Sequence, residues 1–311
     1  MTDAAWSLAD IGDQTGRTAL VTGPSPDGLG HHVALELSRR GARVVLAGRD
    51  PAKIAATADL IGRDVPDAQL EVLSLDLADL GAVRRAAEEA AELGPIHLLV
   101  NNAGVMAPPY SRTVDGLELQ MATNHFGPFL LTGLLLPQLV SAGDDARVVV
   151  VSSNGHRMAR SAPLGDPLTS PRRYSRWPQY GQTKLANLLF TYELDRRLRT
   201  AGLPVKALAA HPGFAGTHLV VNGQLGRASG GIASVLHGAV QLVSQTPAAG
   251  AWPVLMAATA DLPGSTYCGP SGPGEWRGPA QVTTSSGLSR DWDAQRRLWE
   301  LSEQAVGLAY P

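Results

Sequence analysis

The sequence predicts an α/β fold: one domain built on a doubly wound parallel sheet, with helices on both faces and a helical lid. Three observations carry this. Short apolar runs alternate with helix-length segments through the first two thirds of the chain. The runs are continuously apolar, the pattern of strands buried on both faces. The first of them feeds directly into a glycine-rich turn that opens a helix.

Taken in order, the predicted strands are Thr18–Thr22, Arg43–Ala47, Leu70–Leu75 and His97–Val100. Helical segments near 30–40, 51–62 and 79–93 separate them, and such alternation implies right-handed crossovers. A long apolar helix near 115–141 leads to the strand Arg147–Ser152. A helix near 179–200 then leads to the strand Pro204–Ala210. The weakly charged stretch 218–250 reads as the lid. Residues 269–289, rich in Gly, Pro and Ser, read as a surface loop before a closing helix near 290–305. No linker, repeat or charge block divides the chain. Residues 1–311 are therefore expected as one domain, with its core at 15–268 and a terminal loop and helix at 269–311.

Charge and cysteine usage exclude several functions. The 26 Lys+Arg and 28 Asp+Glu give a net charge of −2, not the basic balance of a dedicated nucleic-acid binder. A lone Cys268 excludes a disulfide framework and a Cys-rich metal site. His125 and His218 have no metal-ligand partners at suitable spacing, so no metal is expected. Asp3 and Asp10 interrupt the N-terminal stretch, which predicts no secretory signal and a cytoplasmic protein. Residues 119–143 and 228–260 contain no Asp, Glu, Lys or Arg, but polar residues and prolines break both, so no stable membrane insertion is expected. The implied partner is a small molecule. Lysine is scarce: only Lys53, Lys184 and Lys206 occur.

The turn after the first strand reads Thr22-Gly23-Pro24-Ser25-Pro26-Asp27-Gly28-Leu29-Gly30. Glycines there let backbone amides approach a pyrophosphate, and the helix N-terminus favours its charge. Gly23, Ser25, Gly28, Leu29 and Gly30 are the candidate contacts of a Rossmann-type dinucleotide site. Arg49, at the end of the second strand, offers charge to a 2′-phosphate where an acidic residue would hold a 2′-hydroxyl. NADP(H) is therefore expected over NAD(H). Asp27, an acidic residue in the same turn, points the other way; Arg49 is read as the stronger signal. Tyr180 and Lys184 stand four apart on one helix face. A nearby ammonium favours a phenolate, which suits a tyrosine to proton exchange.

With Asp76-Leu77, Asn101-Asn102-Ala103-Gly104, Tyr180-Gly181-Gln182-Thr183-Lys184 and Pro212-Gly213 with Thr217, the chain resembles a short-chain dehydrogenase/reductase. Its YGQTKLANLLF segment is most similar to the retinol-dehydrogenase-like and protochlorophyllide-reductase-like branch. One departure is a glycine turn longer by one residue than the family pattern, with Pro24 and Pro26 supplying no amide hydrogen. The resemblance implies a catalytic set of Asn124, Ser153, Tyr180 and Lys184. Tyr180 would exchange the proton, and Lys184 would also hold the nicotinamide ribose. Ser153 would orient the substrate carbonyl; pleat alternation alone leaves Ser152 as its alternative, and the resemblance selects Ser153. Asn124 would hold a proton-relay water through its backbone carbonyl. Asp76 and Leu77 would contact adenine, Asn102, Ala103 and Gly104 would line the cofactor, and Pro212, Gly213 and Thr217 would meet the nicotinamide end. The implied reaction is hydride transfer between NADP(H) and a carbonyl or alcohol of a lipophilic or polycyclic compound. Reduction of a conjugated C=C bond, a non-redox step, or non-catalytic NADP binding are the alternatives. Relatives occur as monomers and as homodimers through the helices near 115–141 and 179–200.

Substrate clues are weaker. Between Ser153 and Tyr180 lie Arg157, Arg160, Arg172, Arg173 and Arg176 with Tyr174 and Trp177, against a single acid, Asp166. They read either as a basic, aromatic-lined wall or as a solvated loop. Val235, Leu236, Val240, Leu242 and Val243 read as an apolar pocket or as packing under the lid. His31 and His32 read as the exposed start of a helix, and His211 as structural.

Overall fold

The computed structural model describes residues 6–143, 145–163, 174–214 and 245–311. They form one eight-stranded sheet. The strands are β1 (Thr18–Thr22), β2 (Arg43–Gly48), β3 (Leu70–Ser74), β4 (Leu98–Asn101), β5 (Ala146–Val151), β6 (Val205–Ala210), β7 (Tyr267–Pro270) and β8 (Ala280–Val282). Their spatial order is β3-β2-β1-β4-β5-β6-β7-β8, parallel throughout except for the antiparallel β7–β8 pair. The order reverses between β1 and β4, so a crevice opens beyond the carboxyl ends of those strands, where open α/β sheets bind ligands. All six predicted strands are present within a residue or two of their expected ends.

Helices α1 (Leu29–Arg39), α2 (Pro51–Asp64) and α3 (Leu80–Ala91) fill the first crossovers. Asp50 caps α2 by accepting the Lys53 amide, and Asp79 caps α3 by accepting the Ala82 amide. Two apolar layers result, one on each face of the sheet. One joins α3, α7 and the closing helix to Leu20, Leu99 and Val148; the other joins α1 and α8 to Val21, Val100 and Val149. Here α7 is Arg176–Thr200 and α8 is Pro247–Thr259.

The apolar stretch near 115–141 is not one helix. It divides into α4 (Leu119–Met121), a π-helical turn (Ala122–Phe126), α5 (Gly127–Leu134) and α6 (Leu136–Ser141). Pro128 and Pro137 have no N–H to continue the ladder, which is the physical reason for the breaks. Gly127 permits a close approach: a Cβ there would lie 2.3 Å from the Leu77 carbonyl oxygen. Gly127→Ala is therefore expected to cost about 1–3 kcal/mol, read as a lowered melting temperature, because backbone rather than a mobile side chain must yield. An unchanged melting temperature would contradict this contact.

A second correction concerns 269–289. Instead of a surface loop it contains the end of β7 and all of β8, extending the sheet past the expected core limit at 268. The chain closes with α9 (Trp292–Val306). Its Trp299 is fully buried, 4.9 Å from the Phe129 ring and 5.9 Å from the Phe190 ring. Tyr310 adds a hydrogen bond to the Phe129 carbonyl at 3.0 Å, so the outer face of α5 and part of α7 is covered from within the chain. No helix of the described residues is long and apolar enough to cross a membrane.

Candidate active site

The glycine turn is folded back on itself. The Ser25 amide donates to the Gly23 carbonyl and the Gly28 amide to the Ser25 carbonyl, each at 2.9 Å. Pro24 is buried, and its carbonyl accepts the Thr57 hydroxyl of α2 at 2.6 Å. The extra residue surfaces at Asp27, which is exposed with φ +53°. Its amide donates to His31 Nδ1 at 3.2 Å. His31 is accordingly buried rather than at the surface, with its pKa lowered first by burial. Gly23, at φ +66°, lies against Ala103, and a Cβ on Gly30 would meet Asn102 Nδ2 at 2.5 Å and Pro24 Cα at 3.1 Å. These glycines keep the entrance to α1 open, where first-turn amides have no helical acceptor.

The neighbouring strand ends supply the other predicted contacts. Asn102 holds the turn, donating from Nδ2 to the Thr22 carbonyl at 2.8 Å and the Gly23 carbonyl at 3.2 Å. Thr22 Oγ1 accepts the Asn102 and Ala103 amides, each at 3.0 Å. Arg49 is exposed and, among the described residues, has no ion-pair partner. Asp76 is half-buried and accepts the Ala78 amide at 2.9 Å. Leu77 is buried in the core, so its side chain is a packing residue. Together the Gly30 cradle and the α1 amides fit the pyrophosphate of a dinucleotide, with the Arg49 guanidinium exposed beside them.

Just past the carboxyl end of β5, Ser153 meets Tyr180 and Lys184 from the first turns of α7, with Asn124 alongside from the π-helical turn. Lys184 is buried and donates from Nζ to the Val151 carbonyl at 3.0 Å; burial lowers its pKa to about 8. Nζ lies 5.7 Å from the Tyr180 ring centroid. Burial raises the Tyr180 pKa, with the Ser153 hydroxyl opposing, the reverse of the lowering expected beside Lys184. Ser152 donates to the Lys184 carbonyl at 2.7 Å and is buried, whereas Ser153 is half-buried and accepts the Gly155 amide at 3.0 Å. The two serines thus differ: Ser152 is held in the core, whereas the Ser153 hydroxyl meets Tyr180. A Cβ on Gly155 would sit 3.2 Å from Tyr180 Cε1 and 3.3 Å from Ser153 Oγ, which shows how close those groups are.

Asn124 lies in the π-helical turn. Its side chain clamps Val105, accepting the amide at 2.7 Å and donating to the carbonyl at 2.9 Å, and donates to Thr183 Oγ1 at 2.9 Å. Its backbone carbonyl sits where the regular i+4 ladder is interrupted, since Pro128 has no N–H to offer it. A Cβ on Gly104 would lie 3.1 Å from Asn124 Oδ1 and 3.6 Å from Lys184 Nζ, so these three groups meet.

Pro212 and Gly213 follow β6. The Pro212 carbonyl accepts Gln245 Nε2, and Gly213, at φ +66°, donates to His211 Nδ1 at 3.2 Å. His211 Nε2 lies 2.9 Å from Glu275 Oε2, close but poorly aligned as a hydrogen bond, and the ring rests on Tyr267. Thr217, His218, Arg172, Arg173, Asp166 and the lid positions Val235, Leu236, Val240, Leu242 and Val243 lie outside the described residues. Tyr174 does not stand free: its hydroxyl donates to the Pro108 carbonyl and accepts from Gln120 Nε2, each at 2.8 Å. Trp177 is exposed and edge-on to Tyr180, 6.3 Å between centroids. Among the described residues no group of His, Cys, Asp and Glu is placed to hold a metal, and Cys268 is buried and free. Sequence reading missed Gln245, Thr183 and Glu275, whose roles arise from contacts across the fold.

This geometry has close counterparts. Residues 17–164 match the family profile of short chain dehydrogenases. Human retinol dehydrogenase 13 is 36% identical over 311 residues, covering 95% of this chain and 86% of that protein. The chain belongs to the short-chain dehydrogenase family. Human retinol dehydrogenase 12 is 46% identical over 212 residues, 68% of this chain; that match spans just under two thirds of the relative, 65% of its length. The crystal structure of an uncharacterized protein from Mycobacterium paratuberculosis is 40% identical, covers 99% of this chain and 100% of its own, and superposes with a TM-score of 0.79. Members of this family bind a nicotinamide cofactor.

Proposed function

We propose that the chain is an NADP(H)-dependent oxidoreductase acting on a carbonyl or alcohol of a lipophilic or polycyclic small molecule. The observation that carries this is the convergence of Asn124, Ser153, Tyr180 and Lys184 beside the glycine turn at the carboxyl edge of the sheet. The bound cofactor supplies hydride exchange at its nicotinamide. The chain's residues do the rest. Ser153 orients the substrate oxygen by a hydrogen bond, and Tyr180 Oη gives a proton to that oxygen in reduction or takes it in oxidation. Lys184 has donors to spare beyond Val151 for the cofactor ribose, and the Asn124 backbone carbonyl would hold a water that resupplies the proton.

Exposed rings at the mouth support a lipophilic substrate: Trp177 beside Tyr180, and Phe214 and Trp276, 6.5 Å apart. The retinol dehydrogenase relatives support the same class. The α9 cover over α5 and α7 supports a monomer, and a cytoplasmic setting with a ready supply of NADPH belongs to the same reading. The test is NADPH consumption with all-trans-retinal, 9,10-phenanthrenequinone and cyclohexanone, followed by product analysis. Alcohol formation is expected; a protein that binds NADPH and never oxidises it would overturn the proposal, and reduction of a C=C bond of retinal with its aldehyde kept would replace it.

Arg49 supports NADP(H), since an unpaired guanidinium beside a strand end suits a phosphate. Arg49→Ala is expected to weaken NADPH binding about 10- to 100-fold while leaving NADH binding nearly unchanged, as read by cofactor fluorescence titration. Equal losses for both cofactors would assign Arg49 a purely structural part.

A further inference from the structure

His156 is fully buried in the turn that follows β5, and both of its ring nitrogens are engaged. Nδ1 lies 2.7 Å from the Ser153 carbonyl oxygen, and Nε2 accepts the Ser286 amide at 3.1 Å. An amide can only donate, so Nε2 carries no hydrogen; a carbonyl can only accept, so Nδ1 does. The surroundings therefore select one neutral tautomer, and burial independently lowers the His156 pKa to about 4. The Ser153 carbonyl accepts twice from this residue, from the ring and from the His156 amide at 3.0 Å.

The same turn is tied to the C-terminal segment on either side of His156. Asn154 Nδ2 donates to the Gly274 carbonyl at 3.1 Å, and Arg157 Nη2 to the Thr284 carbonyl at 2.6 Å. Tyr267 stands edge-on to the His156 ring at 5.8 Å. Three side chains of one short turn thus grip residues 274–286, and only His156 reaches from that segment to the serine itself.

We propose that His156 is a positioning residue for Ser153: through the serine's carbonyl it fixes the backbone that aims the hydroxyl, with residues 274–286 as the rigid mount. This rests on the reading of Ser153 as the group that orients the substrate. A buried histidine that only fills space has no need of a particular nitrogen. One that positions Ser153 needs the Nδ1 hydrogen above all.

Three variants separate these cases. His156→Asn keeps an N–H near the Nδ1 position, His156→Gln reaches the Nε2 position, and His156→Phe keeps ring area alone. Turnover is measured with NADPH and 9,10-phenanthrenequinone, alongside melting temperature. His156→Phe is expected to lower kcat about 10- to 100-fold with the KM for NADPH unchanged. His156→Asn restores most of kcat without restoring the melting temperature, and His156→Gln does the reverse. In a Ser153→Ala background, His156→Phe adds no further loss of kcat. A kcat that simply follows the melting temperature through the three variants overturns the proposal, as does an equal loss in both backgrounds. Full turnover by Ser153→Ala alone overturns the reading of the serine, and this proposal with it. Independently of turnover, the long-range ¹H–¹⁵N spectrum of the wild-type protein at pH 7 is expected to show His156 neutral and protonated at Nδ1. An Nε2-protonated ring there sinks the assignment.

Discussion

Tyr180→Phe abolishes turnover, by about 10²–10⁴-fold or more, while NADPH binds nearly as before. The substitution removes one oxygen and leaves the ring, which is packed beside Gly155 and edge-on to Trp177, so the pocket keeps its shape. No other described group offers an exchangeable proton from the same position: Ser153 is the neighbour that orients, and Lys184 Nζ sits 5.7 Å from the ring centroid. The raised pKa of Tyr180 adds a direction. In the free protein burial holds the phenol protonated through neutral pH, the form that gives a proton in carbonyl reduction. Reduction is therefore expected to run without loss from pH 6 to 8, whereas alcohol oxidation, which needs the phenolate, rises with pH over that range. Steady-state rates in both directions, with a fluorescence titration of NADPH, check both parts. A Phe variant that keeps even a tenth of wild-type turnover would remove Tyr180 from the chemistry.

What could be read from the residues alone was the chemistry confined to short stretches. Tyr180 and Lys184 are one helical turn apart, so local periodicity suffices to bring them together. The parallel strands announce themselves as unbroken apolar runs, since burial on both faces demands it. The C-terminal hairpin was hidden for the opposite reason. β7 and β8 are four and three residues long, and β7 carries Gly269 and Pro270, so their strand character comes from pairing with β6 and with each other. His31 illustrates a burial that no local pattern predicts: the longer glycine turn folds its Asp27 amide onto the ring. Pleat alternation leaves Ser152 and Ser153 open and only the resemblance chooses between them, because the distinguishing partner of Ser152, the Lys184 carbonyl, lies 32 residues away. His156 and Glu275 belong to the same class, being ordinary polar residues until the chain returns over the site.

Lys184→Met is expected to raise the melting temperature by a few degrees at pH 7 while abolishing turnover and weakening NADPH. The stabilisation follows from burial, which disfavours the ammonium and lowers the Lys184 pKa to about 8 from 10.5. The unfolded chain keeps its proton up to the higher value. Between about pH 8 and 10.5 the unfolded state thus binds more protons than the folded one, and the wild-type protein gains stability as pH rises. Below about 8 both states are protonated and the whole desolvation cost falls on the fold. Methionine of similar length removes that cost, and the Val151 carbonyl is not orphaned, because Asn187 Nδ2 still donates to it at 3.1 Å. The melting-temperature advantage of the variant is therefore largest at pH 7 and shrinks towards pH 10. The loss of NADPH affinity distinguishes this variant from Tyr180→Phe, since an ammonium can hold ribose hydroxyls and a thioether cannot. A Met variant less stable than wild type at pH 7 would mean that Lys184 supports the fold rather than straining it. The one buried lysine among three would then be explained by packing, without recourse to catalysis.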